Sequence, residues 1–199
     1  MDKLNIIYKF DQKHTSNNQE IIVTKEKSNA LNCYSYDEDF ESLLNIQLPP
    51  KVRKSKQLQT LNENIEIIKK INYGTLSYIV DGIPYITALD HFFYDNKIHF
   101  HCAPSGFKTN AINQIVSYLI IDDLGISNQN STHYHRSVIV QGILKSVDDL
   151  QIKKAALATF LDKFDCGTID QFNDQTIGRT SILYIDSYFL HGKKHLPKT

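Results

Sequence analysis

The sequence predicts a mainly β protein: a small antiparallel barrel of six strands with helices at its ends. Apolar runs of strand-like period follow one another across short polar turns, and Asp81-Gly82 is the clearest two-residue hairpin turn among them. Helical periodicity recurs in only three places and does not alternate with the strands, as a parallel sheet would require. Strands joined by tight turns therefore favour an antiparallel barrel.

Composition limits the classes of function. The chain has 199 residues, with 22 acidic and 22 basic side chains, so it offers no long-range attraction to nucleic acid or to an anionic membrane. The three cysteines, Cys33, Cys102 and Cys166, are too widely spaced for a disulfide framework or a zinc site. The cysteine usage is typical of a reducing compartment. The chain also starts without a signal-peptide core and has no apolar run of membrane length, so we predict a cytoplasmic protein.

The chain divides near a pair of prolines at positions 49 and 50. Residues 1–50 form a distinct zone in which Leu4–Tyr8 and Glu20–Thr24 have the character of short strands. No chemistry-bearing motif occurs there, so we expect an extension packed on the main domain, which comprises residues 51–199.

The first helix of the main domain is marked by Thr60 and Glu63, which have the spacing of a capping box. Two further helices are predicted over Ser105–Ile115 and Asp148–Phe164, and the acidic start of the latter suits the helix dipole. Gly142 lies within a long strand and suggests a bulge. The apolar face of the first helix comprises Leu61, Ile65, Ile68 and Ile71. The predicted strands are Thr75–Val80, Ile83–Phe93, Lys97–Cys102, Val116–Asp122, Arg136–Val147 and Thr180–Leu190.

The segment that ends in Lys108 suits a phosphate. A strand ends near Cys102, the chain turns through Pro104-Ser105-Gly106, and a predicted helix begins with Lys108 in its first turn. Free amides and the dipole at a helix start favour an anion, and Gly106 would let its oxygens approach the backbone closely. The alternative is that Lys108 is an ordinary solvated lysine. Arg136 is a candidate for a second phosphate or carboxylate contact, because a guanidinium fork matches such oxygens.

Strand alternation places His99 and His101 on one side of the sheet and Cys102 on the other, where it is expected to be a small core residue. His101 is either a structural histidine at the barrel rim or a functional group that hydrogen-bonds a ligand or moves a proton near neutral pH. A metal site is the least favoured interpretation, because no further ligand lies at suitable spacing. We therefore predict no metal.

Several segments of the sequence together resemble a known family. The run Gly74–Lys108 contains a hairpin reading Asp-Gly-Ile-Pro-Tyr and, later, the segment His-Phe-His-Cys-Ala-Pro-Ser-Gly-Phe-Lys. It is similar to the pyridoxamine 5'-phosphate oxidase-like superfamily, and most similar to its nitroimidazole-resistance (Nim) branch. The resemblance covers about residues 53–194. Three further segments carry it: Arg136–Gly142, Lys154–Leu157 and Leu190–Lys193.

The resemblance implies an FMN-binding split barrel, a homodimer with the flavin at the subunit interface, and specific roles for residues. Lys108 would contact the FMN phosphate, and His101 corresponds to the characteristic pocket histidine of the branch. Residues that would lie along the flavin, mainly through their backbone, are Thr87, Ala88, Leu89 and Asp90. Residues that would line the ring or ribitol side are His101, Cys102 and Ala103.

Some positions depart from the family pattern. Phe107 stands where the oxidase has an arginine, Ala88 stands where the branch usually has proline, and the oxidase's substrate-binding ending is not visible in Asp186–Lys194. These departures argue against oxidation of pyridoxamine phosphate itself.

We therefore expect an FMN-dependent oxidoreductase of Nim type, in which His101 orients a small acceptor, such as a nitro-heteroaromatic compound, or donates a proton to it. A non-catalytic flavin-nucleotide carrier or sensor is the main alternative, because the sequence holds no Gly-x-Gly-x-x-Gly nicotinamide motif. A haem-binding or haem-degrading barrel is the third.

Overall fold

The structure is a computed structural model that describes residues 4–9, 20–24, 33–36, 57–128 and 131–197. Strands β1 (Leu4–Lys9), β2 (Glu20–Thr24) and β3 (Cys33–Tyr36) form a three-stranded sheet in the order β2-β1-β3. Both strands predicted in the first zone are thus confirmed, and β3 is additional. The proposed domain boundary lies outside the described residues, and the packing of the extension stays a prediction.

The main sheet has seven antiparallel strands in the order β5-β4-β8-β9-β10-β7-β6. It confirms a mainly β split-barrel fold with peripheral helices. The predicted strand Ile83–Phe93 is interrupted at His91, which accounts for seven strands instead of six. The sheet is not closed, and β5 and β6 are its two edges. The strands are β4 (Tyr73–Val80), β5 (Ile83–Asp90), β6 (Phe92–Tyr94), β7 (Lys97–Cys102), β8 (Ile115–Ser127), β9 (Thr132–Ser146) and β10 (Ser181–His195).

Two tight turns set the register of the hairpins. Asp81 and Gly82 have φ angles of 53° and 78°, and Val80 pairs with Ile83 across them. A second pair of left-handed residues, at positions 95 and 96, joins β6 to β7. Positive φ at both central residues defines the turn type that matches strand twist, so the predicted hairpin is confirmed.

The bulge expected at Gly142 lies instead on the neighbouring strand. The register of β10 against β9 shifts between Ser187 and Phe189, opposite Gly142 and Gln141. A Cβ at Gly142 would come within 2.3 Å of the Asp186 carbonyl oxygen. Glycine is therefore needed here because the backbone of β10 approaches closely, and not because its own strand bulges.

Helix α1 (Leu61–Lys70) begins at the predicted capping box of Thr60 and Glu63. Its buried residues are Asn64, Ile67 and Ile68, so the buried face is rotated relative to the predicted one. Helix α2 (Leu150–Phe164) is capped by the Asp149 carboxylate, as its acidic start suggested. A 3₁₀ turn (Ile169–Gln171) and helix α3 (Asp174–Arg179) were not predicted.

The helix predicted over Ser105–Ile115 is wrong. Only a 3₁₀ turn, Phe107–Ala111, forms there, and Ile115 already belongs to β8. Asn113 takes a left-handed conformation and its amide donates to the Leu144 carbonyl at 2.7 Å. Pairing with β9 therefore replaces the hydrogen bonds that a longer helix would need. In the part of the chain that the structure describes, no helix is long and apolar enough to cross a membrane.

Two apolar clusters stabilise this fold. The larger fills the barrel and includes Leu76, Phe100, Tyr118 and Val140, all at most 3% exposed. The smaller lies between the outside of the sheet and helices α2 and α3, and it contains Phe92, Val147, Ala156, Leu157, Ile177 and Ile182. Helix α2 therefore covers the region where β6 and β7 meet the opening of the barrel.

Candidate functional site

The site lies where the barrel is open, between the end of β5 and β7. A cleft of about 280 Å³ occurs there. The edge strand β5 contributes part of its exposed backbone to the cleft, and one histidine and one phenylalanine face it. Its lining residues are Tyr73, Ala88, Leu89, Asp90, His101 and Phe160. Four of the residues that the family resemblance implicates in flavin binding therefore lie together: Ala88, Leu89, Asp90 and His101.

A buried hydrogen bond supports the edge strand at this cleft. The Tyr118 hydroxyl donates to the Leu89 carbonyl at 2.6 Å, and Tyr118 itself is fully buried. Gly74 pairs with Leu89, and a Cβ at Gly74 would lie 2.7 Å from the Tyr118 ring. Glycine at position 74 thus allows the tyrosine to reach the edge strand. The backbone that faces the cleft is fixed from the barrel interior.

His91 lies against the same tyrosine. Its Nε2 donates to the Ile68 carbonyl at 2.8 Å, which leaves Nδ1 facing the Tyr118 hydroxyl at 3.0 Å. Burial, assisted by the nearby Lys163 ammonium, lowers the pKa of His91 to about 3. The imidazole is therefore neutral at pH 7. Its role is structural, because it joins α1 to the strands beneath the cleft.

His101 is the histidine that faces the cleft. It is exposed, and its ring centroid lies 5.0 Å from that of Phe160 on α2. Its ring nitrogens make no hydrogen bond to any residue within the described ranges. Partial burial lowers the pKa of His101 below its ordinary value of 6.5, so the neutral imidazole predominates at pH 7. It can accept or donate a hydrogen bond to a ligand in the cleft.

His99 lies on the same side of β7 but is a core residue. It is 3% exposed and packs between the rings of Phe92 and Tyr184, each with a centroid distance of 5.5 Å. Burial lowers its pKa to about 4. The two histidines do not form a ligand pair, and the described residues contain no group of three or more His, Cys, Asp or Glu side chains that could hold a metal.

Lys108 lies on the corner that follows β7. The side chain is half-buried, and the lysine Nζ lies 3.9 Å from the position that a Cβ would take at Gly106. Gly106 has a φ of 135°, which only glycine adopts readily. The Lys108 ammonium has no ion-pair partner among the residues that the structure describes. Because the following 3₁₀ turn is short, the expected helix dipole contributes little, and the lysine is the main attraction for an anion.

The remaining residues of the predicted site have different environments. Cys102 is 8% exposed and belongs to the barrel core, as strand alternation predicted. Burial raises the pKa of its thiol, and contacts with Ser181 and Lys108 act in the opposite direction. Thr87 is partly buried on β5, and Ala103 is exposed at the end of β7. None of these three lines the cleft described above, and Gly106 and Lys108 on the corner after β7 do not line it either.

Phe107, which replaces the oxidase's arginine, makes an aromatic contact. Its ring lies 4.8 Å from that of Tyr85, which lies 5.4 Å from that of Tyr78. Phe107 is nevertheless 51% exposed. The corner therefore holds an apolar surface beside Lys108 where the oxidase has a second cation.

Arg136 is held elsewhere. Its Nε donates to the Asp122 carboxylate at 2.9 Å, and Lys70 donates to the other oxygen of the same carboxylate at 2.9 Å. These cations lower the pKa of Asp122 against the opposing effect of burial. Along β10, the partner of Arg136 is thirteen residues from the partner of Cys102, up to about 40 Å of strand. The structure thus uses Arg136 in an internal ion pair far from Lys108.

Two lining residues were missed by the sequence reasoning. Phe160 falls within the predicted helix Asp148–Phe164, and nothing in the sequence indicates that this helix borders an opening. Tyr73 precedes the predicted start of β4. The sequence signal for Tyr73 as a lining residue was weak, because it consists only of a large aromatic residue directly before Gly74. In the structure Tyr73 is 65% exposed.

These features define an antiparallel split barrel with a cleft at its open edge. The sequence profile described as pyridoxamine 5'-phosphate oxidase matches residues 61–194, about two thirds of the chain. The protein therefore belongs to the pyridoxamine 5'-phosphate oxidase family. Among curated proteins, none matches this sequence.

Solved structures show the same fold at low sequence identity. A candidate 5-nitroimidazole antibiotic resistance protein from Bacteroides thetaiotaomicron is 15% identical, with a TM-score of 0.60 over 69% of this chain and 86% of that one. A FAD and heme binding protein from Mycobacterium smegmatis is 15% identical, with a TM-score of 0.59 over 72% and 76%. A FAD binding protein from the same organism is 18% identical, with a TM-score of 0.53 over 71% and 99%.

Proposed function

We propose that this protein binds a flavin, specifically FMN, in the cleft between β5 and β7, and acts as a flavin-dependent oxidoreductase of Nim type on a small acceptor. The observation that carries the proposal is the meeting of Ala88, Leu89, Asp90 and His101 around one opening. Family membership and fold relatives described as FAD binding proteins support a flavin as the ligand.

The residues present fit such a group. The edge strand β5 offers backbone donors and acceptors on the side away from β4, and its position is fixed by Tyr118. Lys108 supplies a cation without an ion-pair partner in the described chain, which suits the single phosphate of FMN. When bound, the flavin would supply transfer of two electrons. The chain itself would bind the flavin, orient it and shield it from solvent.

His101 would act in its neutral form. Because partial burial lowers its pKa, the imidazole carries one N–H donor and one acceptor nitrogen near pH 7. It can therefore orient a polar atom of the acceptor by hydrogen bonding. To donate a proton, the neutral ring must first take one up from solvent and become imidazolium, which the exposed position of the ring permits.

A second copy of the chain would complete the site. The cleft of about 280 Å³ lies just below the usual size of ligand pockets, about 300–1,000 Å³. It opens onto an uncovered apolar side of the sheet, here called the outer face. The outer face consists of Tyr73, Ile79, Ile86, Ile115 and Ile121, which are 45–65% exposed. An apolar face of this kind marks an interface, so we propose a homodimer.

The test compares FMN with riboflavin, which lacks the phosphate. Purified protein is titrated with each, and flavin fluorescence is followed. We expect FMN to bind more tightly, and the chemically reduced complex to be reoxidised by an added nitroimidazole without oxygen. Binding without reoxidation would favour a carrier or sensor. A haem titration that shifts the Soret band, with no flavin uptake, would overturn the proposal in favour of haem binding.

A further inference from the structure

A second, smaller pocket lies behind the proposed flavin cleft. It measures about 90 Å³ and is formed by α2, the 3₁₀ turn at 169–171 and α3. Its walls are mainly apolar side chains: Leu157, Phe160, Leu161, Ile169, Phe172 and Ile177. His101 and Phe160 also line the larger cleft, so these two rings separate the two cavities.

The polar groups at this pocket restrict what it can hold. The Thr176 hydroxyl donates to the Asn173 side-chain oxygen at 3.0 Å, and the Thr180 hydroxyl donates to the Thr176 carbonyl at 3.1 Å. Both donors are therefore already used within α3. The imidazole of His101 is therefore the lining side chain with an unused N–H donor, and it has no hydrogen-bond partner in the described chain.

Charge is also excluded from the pocket. Its lining contains no lysine, arginine, aspartate or glutamate. Lys154, the neighbouring cation on α2, is 2.6 Å from the Asp174 carboxylate, and Lys153 donates to the Gly178 carbonyl. A charged guest would lose its hydration here without a compensating partner.

We propose that this pocket binds a small uncharged ring, oriented by a hydrogen bond from a ring substituent or ring nitrogen to His101. An engineered apolar cavity of about 150 Å³ accommodates benzene. At about 90 Å³ this pocket is smaller but open on one side, so a single small ring is the largest guest that we expect, with part of it in the opening. A guest here touches the same two side chains that face the cleft. If the proposed flavin site holds, on which this role rests, the pocket is the acceptor subsite.

The experiment uses the full chain with labelled leucine and isoleucine methyl groups and two probes, benzene and benzoate. Benzene should shift the methyl signals of Leu157, Leu161 and Ile177 in NMR spectra and saturate, whereas benzoate should not. Thr176→Phe should fill the pocket from the exposed start of α3 and abolish the shifts. Thr176→Val, which removes the same hydroxyl without adding bulk, should retain them. Absence of benzene shifts, equal shifts with benzoate, or shifts that persist in Thr176→Phe with its other methyl signals unchanged would overturn the proposal.

A second measurement separates this inference from the proposed cofactor. FMN binding is followed by absorbance with and without saturating benzene, and we expect the bound flavin spectrum to change when benzene is present. Benzene binding in a protein that takes up no flavin would retain the pocket and refute the acceptor role together with the proposed function. Flavin binding without benzene binding would refute the pocket alone.

Discussion

At the scale of single residues, Lys108 offers the most direct test of the phosphate site. Lys108→Ala should weaken FMN binding roughly 10- to 100-fold, because a hydrogen bond to a charged group contributes about 1.5–3 kcal/mol. Riboflavin binding should hardly change, since it has no phosphate. The measurement is a fluorescence titration of both ligands. Lys69→Ala, which removes an exposed lysine from α1, serves as the control. Equal FMN affinity in both variants would reject the role of Lys108.

His91 leads to a prediction about acid stability. Its pKa is about 3 in the folded protein and about 6.5 when unfolded, so below pH 6.5 the unfolded chain binds a proton that the folded chain does not. Stability should therefore fall as the pH drops from 6.5 toward 3, by up to about 1.4 kcal/mol per pH unit for this residue.

The measurement is urea unfolding between pH 7 and pH 4. His91→Gln should be less stable than the unmodified protein at pH 7 but lose less stability on acidification. His135→Gln, at the other end of the sheet, should keep the original pH dependence. If His91→Gln shows an unchanged slope, the buried neutral state of His91 is wrong.

The environments of some single residues could be predicted from the sequence pattern, and those of others could not. Alternation correctly separated Cys102 from His101, because period two is a property of any strand. It could not distinguish His99 from His101, since only the packing of α2 and β6 decides which ring is covered. A contact of Arg136 with a ligand anion was expected, but its guanidinium pairs with the buried Asp122 carboxylate on the neighbouring strand.

At the scale of elements, Lys163 holds α2 against α1. Its ammonium donates to the carbonyls of Ile71 and His91 at 2.7 and 2.8 Å. Lys163→Ala leaves these carbonyls without that donor, and we expect a loss of about 1–3 kcal/mol in the free energy of unfolding. Because α2 carries Phe160, the cleft should loosen as well.

Lys154→Ala is the matched control on the same helix. It breaks an ion pair with Asp174, whose side chain is 64% exposed, and such surface pairs contribute about 0–1 kcal/mol. Chemical denaturation of both variants checks the prediction. A loss for Lys163→Ala no greater than that for Lys154→Ala would contradict the anchoring role.

Elements were predictable where local chemistry decides them. The capping box at Thr60 and the turn at Asp81-Gly82 involve neighbours in sequence, and both are confirmed. The helix expected after Gly106 failed because Asn113 pairs with the distant Leu144. Helix α3 could have been found, since Asn173 caps it by accepting from the Thr176 amide and asparagine is a favoured residue at a helix start.

At the scale of the whole molecule, the proposed dimer can be tested on the outer face. Ile86 is 64% exposed on the edge strand, and Ile86→Lys places a charge where we expect a partner subunit. The variant should become monomeric in sedimentation velocity and bind FMN more weakly, because the cleft borders the same face. Ile152→Lys, at a 48% exposed position on α2, should behave like the unmodified protein. A dimer that survives Ile86→Lys unchanged would place the interface elsewhere.

The sequence pattern alone could not locate the outer face, on which the proposed dimer rests. The strands β4 and β8 carry apolar residues on both sides, whereas a sheet with one face in water usually alternates apolar and polar residues. The excess apolar positions are what the proposed partner would cover, but only the strand order shows that Ile79, Ile86 and Ile115 share one face beside the cleft.

Binding of a flavin in the opening beside His101 underlies the whole of the proposed function. An absorbance spectrum of the full-length protein, purified without denaturation and then supplied with FMN and desalted, tests it most directly. We predict that FMN stays bound to the protein after desalting, so absorption bands between roughly 350 and 500 nm should remain. The flavin is the group that carries the chemistry of the site. A spectrum that shows only aromatic absorption near 280 nm would contradict the account.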